Sequence, residues 1–185
     1  SISIDDEAGM FTAAQHLISL GHKNLIYVCS EAIDSINSSI DARGQGFVRA
    51  CKMAEATHQF TWQVLAVPRG KTFADSALTA LLALDEFPDA ICCQTDMMAI
   101  PLVLKLDRYG HRTPRYGSIS ASDDSPSADT VNFTTMRQEP FAMGRLAAHK
   151  AMKLIAGESV ETPHEVVRAQ LVLRGTDSVY GGDQS

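Results

Sequence analysis

The residues of this chain best suited to chemistry are polar or charged and follow short apolar runs: Ser39 and Arg43 after the run ending at Cys29, Arg69 after Val67, Thr95 and Asp96 after Cys93, and Asp123 after a weaker run ending at Ala121. An arginine and a carboxylate brought together suit bidentate hydrogen bonds to vicinal hydroxyls or to a polar ring edge. Covalent and phosphate chemistry find less support. Lys71-Thr72 after Gly70 resembles the end of a phosphate-binding loop, but Leu65 stands where the motif needs its first glycine. Gly44-Gln45-Gly46 begins like a dinucleotide fingerprint, yet Arg49 takes the third glycine's place, and close helix packing accounts for the pair better. No Gly-x-Ser-x-Gly elbow occurs, and no serine or cysteine has a histidine at a recognisable spacing. His22 and His111 each follow a glycine that suits a helix C-terminus, where an imidazolium complements the dipole. The residues therefore predict a non-enzymatic binding site with no metal and no cofactor. An α/β transferase is the reading that the failed motifs discourage.

The elements that would position these groups alternate. Apolar residues at helical spacing predict helices over Ala8 to Leu20, Ile40 to Glu55, Phe73 to Leu84, the stretch after Asp96 to Tyr109, and Pro140 to Ala156. Gly21, Gly110 and Gly157 fall where helices end. Strands are predicted at Leu25 to Cys29, Trp62 to Val67, Ala90 to Cys93, Gly117 to Ala121 and Val166 to Leu173, with a polar loop from Ser122 to Thr130. Pro101 predicts a kink or a delayed start in the fourth helix. Strand and helix in this order give an α/β fold, a doubly wound parallel sheet of Rossmann-like type with right-handed crossovers. Its strand carboxyl ends gather on one edge, so residues far apart in sequence can meet one ligand there. Taken singly, Arg43 and Asp123 have an ordinary reading as surface ion pairs, and Asp96 as a helix cap.

Composition narrows the partners. The chain of 185 residues is 45% hydrophobic and 21% charged, with a formal net charge of −6. That balance offers no electrostatic footprint for nucleic acid. No apolar stretch reaches the roughly 20 residues of a membrane span, and the first residues do not read as a signal peptide. Cys29, Cys51, Cys92 and Cys93 lack metal or disulfide spacing and predict a reducing, cytoplasmic setting.

Several segments together resemble the effector-binding core of the LacI/GalR family of bacterial transcriptional repressors, which shares the type I fold of periplasmic sugar-binding proteins. Asp5-Asp6 with Gly9 is similar to the family's Asp-Asn-x-x-Gly opening, and His16-Leu17 with Leu20-Gly21-His22 to its His-Leu-x-x-Leu-Gly-His run. Arg43 with Gly46-Phe47 and Ala50 resembles Arg-x-x-Gly-Phe-x-x-Ala, and Pro88-Asp89-Ala90 leading to Asp96-Met97-Met98-Ala99 resembles Pro-x-Ala followed by Asn-Asp-x-Met-Ala. Asp123-Asp124, Thr134 to Gln138, Gly144-Arg145 and Leu173-Arg174 complete the set in order.

The resemblance implies a cleft between two subdomains that takes a sugar or purine-like effector and biases operator binding. Arg43 would grip the effector and Asp123 accept from it, with Thr95, Ser39 and Arg69 around them. Pro101 and Ala121-Ser122 depart from the family pattern. A homodimer would form through Met97, Met98, Leu102 and Leu106. Residues 1–4 would be a strand remnant of the N-terminal subdomain, 5–135 the C-terminal subdomain, 136–164 a helix of the otherwise missing N-terminal subdomain, 165–177 a return strand and 178–185 a disordered tail. A headpiece expected upstream would carry the DNA contact, so this piece alone is expected to bind no operator and effector weakly or not at all. A periplasmic sugar-binding protein of the same fold is the alternative, which a signal peptide upstream would reveal.

Overall fold

The computed structural model describes residues 1–31, 38–57, 59–111, 118–120 and 123–180, with backbone alone for 38–41 and 118–120. Its elements run β1 (Ile2–Ile4), α1 (Asp6–Ser19), β2 (Asn24–Ser30), α2 (Ser38–Glu55), β3 (Thr61–Val67), α3 (Phe73–Leu82), β4 (Ala90–Cys93), α4 (Asp96–Arg108), β5 (Ser118–Ser120), α5 (Pro126–Thr130), β6 (Thr135–Arg137), α6 (Pro140–Ile155), β7 (Glu165–Val167) and β8 (Gln170–Val172). A six-stranded sheet has the order β3-β2-β4-β5-β6-β8. It is parallel except for β8, which runs antiparallel to β6. The α/β sheet with helices read from the sequence is therefore present.

Period-two alternation along β2 builds two cores. Leu25 and Tyr27 face α1 and α2 with Met10, Leu17 and Phe47, whereas Ile26 and Val28 face α3 and α4 with Phe73, Leu81, Leu102 and Leu106. All these side chains are buried, and burying each contributes about 1.5–3 kcal/mol. Leu102 and Leu106 thus belong to the intramolecular core, which corrects their reading as dimer contacts. A helical stripe shows that a face is apolar but not what covers it. The exposed apolar residues of α4 are Met97 and Leu104, with Met98 half-buried.

Helix α2 lies unusually close to α1 at one point. A Cβ on Gly46 would sit 2.1 Å from the Glu7 carbonyl oxygen and 2.9 Å from the Phe11 amide, so only glycine fits. The close-packing reading of this glycine pair holds at Gly46. At Gly44 a Cβ would make an ordinary 3.6 Å contact with the Tyr27 ring.

Other expectations change. Helix α4 begins at Asp96 and carries Pro101 within it, so its start is not delayed. The stretch 122–130, read as a loop, contains α5, capped by the Ser125 hydroxyl accepting from the Ala128 amide. Strand β6 went unread because Thr134 and Thr135 are polar, although both are fully buried. The single return strand is two: β7 pairs with β1 in a separate two-stranded sheet, and β8 joins the main sheet. The boundary between the two sheets thus falls after Arg137 and again between Val167 and Gln170, rather than at 135 and 164.

Helix α6 lies against the β1–β7 pair, its Lys150 Nζ meeting Glu165 at 2.7 Å, but has no buried residue and leaves Phe141, Met152, Leu154 and Ile155 exposed. The start of the predicted tail is docked rather than loose. The Tyr180 amide donates to the Leu20 carbonyl, the Ser178 carbonyl bonds His22 Nε2 at 2.9 Å, and the Tyr180 ring meets the His22 imidazole edge-on. Residues 181–185 lie outside the described residues. His22 is not the helix-capping imidazolium expected, because burial to 1% exposure pushes its pKa down from 6.5 and favours the neutral ring.

Two outcomes follow. Gly46→Ala should lower unfolding stability by about 3 kcal/mol in urea, whereas Gly44→Ala should be neutral or gain up to about 1 kcal/mol from helix propensity; equal effects would contradict the close approach. For His22, whose folded pKa is depressed, the stabilising contribution is complete above its unfolded pKa and is lost as pH falls through the folded value. The urea midpoint should therefore drop between about pH 7.5 and pH 5 by more in the native sequence than in His22→Gln. Parallel pH profiles would show that His22 is not held neutral.

Candidate functional site

The strand carboxyl ends meet around Arg43. Asp5 caps α1 by accepting from the Ala8 amide at 3.0 Å, which leaves the next residue, Asp6, at the helix start facing α2. Arg43 Nε donates to Asp6 Oδ1 at 2.7 Å, and Nη1 donates to the Gln94 carbonyl at 3.1 Å, just past β4. Only 9% of Arg43 is exposed. Its charge is thus removed from water and answered by one carboxylate and one carbonyl, a combination that fixes the guanidinium plane. Gln94 is itself fully buried, and its Oε1 accepts from the Ser30 hydroxyl at 3.0 Å and the Ser30 amide at 3.3 Å at the end of β2. Three elements therefore converge on one side chain.

The other sequence-predicted residues spread along the same edge. Thr95 is the half-buried N-cap residue of α4, but its side chain makes no capping bond. Asp96 goes beyond a cap. Fully buried, it accepts from the Ser125 amide at 2.9 Å and the Thr135 hydroxyl at 2.6 Å, tying α4 to the loop after β5 and to β6. Asp123 is exposed on that loop, and its φ of 94° together with the 48° of Asp124 places two consecutive aspartates in the left-handed region. Such strain collects at functional sites and costs of order 1–3 kcal/mol each. Arg69 is exposed after β3, where Gly70 takes φ 133°. Ser39 lies within the backbone of α2, and its side chain is outside the described residues. Arg43 is therefore joined to Asp6 and Gln94, while Thr95, Asp123 and Arg69 stand elsewhere along the edge.

Two groups were legible only as motif letters. Asp124 accepts from Arg137 Nε at 2.5 Å and Arg174 Nη2 at 2.6 Å. Burial pushes its carboxyl up, but those two hydrogen bonds and the attached charges outweigh it and hold the group below the ordinary carboxylate range. Arg174 also donates to the Phe133 carbonyl at 2.8 Å. Behind it, Asp177 joins His16 Nε2 at 2.7 Å to the Thr134 hydroxyl, so the C-terminal segment is locked to α1 and to β6. Asp6 was visible at the sequence level only within the Asp5-Asp6 opening motif; what singles it out is a partner 37 residues away. Among the described residues no cluster of metal-ligating side chains exists, and no described helix is long and apolar enough to cross a membrane.

Residues 14–176 match the family model for the periplasmic binding protein-like domain. The chain is 30% identical over 156 residues to the HTH-type transcriptional repressor PurR of Haemophilus influenzae (strain PittEE), an alignment that covers 82% of this chain and 45% of that protein. Among solved structures, a LacI family transcriptional regulator from Enterococcus faecium with bound ribose superposes with a TM-score of 0.81 at 23% identity, covering 96% of this chain and 65% of that one. A LacI family regulator from Bifidobacterium animalis subsp. lactis gives 0.79 at 28% identity, covering 96% and 63%. The chain thus spans about half the length of the curated relatives it matches, and those relatives are transcriptional regulators rather than enzymes. The chain belongs to the periplasmic binding protein-like domain family, over a stretch that it shares with part of these transcriptional regulators.

Proposed function

We propose that this chain is the effector-sensing part of a cytoplasmic bacterial repressor, taking a small polar ligand, sugar or nucleoside-like, at the strand ends around Arg43. The observation that carries the reading is the buried guanidinium held in one plane by Asp6 and the Gln94 carbonyl. A group fixed before the ligand arrives loses little rotamer entropy on binding, which is what a pre-formed recognition site needs. The ribose bound by the similar Enterococcus faecium regulator supports a polyhydroxyl ligand.

In this reading β1, β7 and α6 are part of a second lobe whose other elements cover Phe141, Leu154 and Ile155. Ligand binding between the lobes then shifts the population toward a closed arrangement. A headpiece outside these residues makes the operator contact, since the net charge of −6 suits no phosphate backbone. A homodimer forms through the exposed Met97 and Leu104 with Met98 of α4.

A thermal-shift screen of neutral sugars and purines against the full-length protein tests the site, because a ligand that binds only the native state raises the melting temperature. Arg43→Lys, which loses the planar fork, should weaken the best hit by about tenfold or more. Asp123→Gly should abolish the response while leaving stability equal or higher, since glycine relieves a φ of 94°. A confirmed ligand indifferent to both substitutions would place the site elsewhere.

A further inference from the structure

The charges around Arg43 restrict which polar ligands can enter. Its guanidinium already faces the Asp6 carboxylate, with side chains only 11% and 12% exposed. Arg174 is likewise spent on Asp124 Oδ1 and, at 3.4 Å, on Asp129, and Arg137 is paired with the other oxygen of Asp124. Asp96 keeps a carboxylate at the start of α4 on two neutral donors, the Ser125 amide and the Thr135 hydroxyl. Asp123 adds a further carboxylate on the loop after β5. Arg69 and Lys71 after β3 are exposed cations farther out on this edge. An anion that approached the Arg43 guanidinium would therefore meet the Asp6 carboxylate beside it, in a part-buried setting where like charges interact more strongly than in water.

We propose that Asp6 sets the charge of the ligand: the site takes an uncharged polyhydroxylated molecule and turns away its phosphate ester. This rests on the assignment of the Arg43 edge as the ligand site. Hydroxyl groups can accept from the guanidinium edge left by Asp6 and donate to carboxylates, so a neutral polyol satisfies both kinds of group. A phosphate satisfies only the first and is repelled by the second. Without Asp6 the buried guanidinium would carry an unanswered charge, and the same pocket would favour an anion.

Titration calorimetry on the full-length protein with D-ribose, D-xylulose, D-glucose and the terminal phosphate ester of each tests this. For whichever sugar binds in an Arg43-dependent way, the native protein should prefer the parent over its ester by about tenfold or more, a difference of about 1.4 kcal/mol. Asp6→Asn, close to isosteric, should narrow that ratio by about fivefold or more toward the ester, and Asp6→Glu should keep the preference for the parent. An ester bound as tightly as its parent by the native protein, with Arg43→Lys weakening both, overturns this proposal alone. So does an unchanged ratio in a folded Asp6→Asn. A panel in which no response depends on Arg43 overturns the site assignment itself, and this proposal with it.

Discussion

One guanidinium withdrawn from water is the constraint on which the arrangement of this edge depends. Arg43 can be buried only because a carboxylate and a carbonyl stand where it needs them. Both come from other elements: Asp6 from the start of α1 and the Gln94 carbonyl from the end of β4. The helices must approach closely for the first contact to form, and the absence of a side chain at Gly46, one turn beyond Arg43, permits that. The second contact requires that β4 stop at Cys93 and that Gln94 be held, which the Ser30 amide and hydroxyl do from the neighbouring strand. Sheet order, helix packing and site geometry are therefore coupled at one side chain.

A second polar network does the corresponding work farther along the same edge. Asp96 binds α4 to the β5–α5 loop and to β6, while Asp124 gathers Arg137 and Arg174 beside the chain's crossing into α6. Each carboxylate is satisfied by two donors, as buried polar groups must be. The result is a main sheet closed on its far side by β8 and by the docked segment through Tyr180, against which the β1–β7 pair and α6 stand as a separate, sparsely packed unit.

The alternation of strands and helices was legible because it rests on local periodicity. β2, β4 and the helices α1, α3 and α4 lie within one or two residues of their expected bounds. What escaped was decided by partners distant in sequence. β6 is three residues that begin with the buried Thr135 after the buried Thr134, so no apolar run marks it. The residues from Val166 to Leu173 look like one strand because alternation continues across Arg168-Ala169, although the chain changes sheets there. Leu102 and Leu106 were assigned to a partner because their spacing marks an apolar stripe, and the same spacing serves an internal core. At the site, Arg43 was singled out by residue type and motif. Asp6 was not, since its neighbour Asp5 fulfils the capping role that a carboxylate pair at a helix start suggests.

The claim that Arg43 and Asp6 act as one unit is tested most directly by a double-mutant cycle in urea with Arg43→Lys, Asp6→Asn and the two combined. A coupling energy of about 1 kcal/mol or more is expected, because either single change leaves its partner's charge buried and poorly answered. Additive effects, with coupling indistinguishable from zero, would contradict the account and return Arg43 to the status of an ordinary surface arginine.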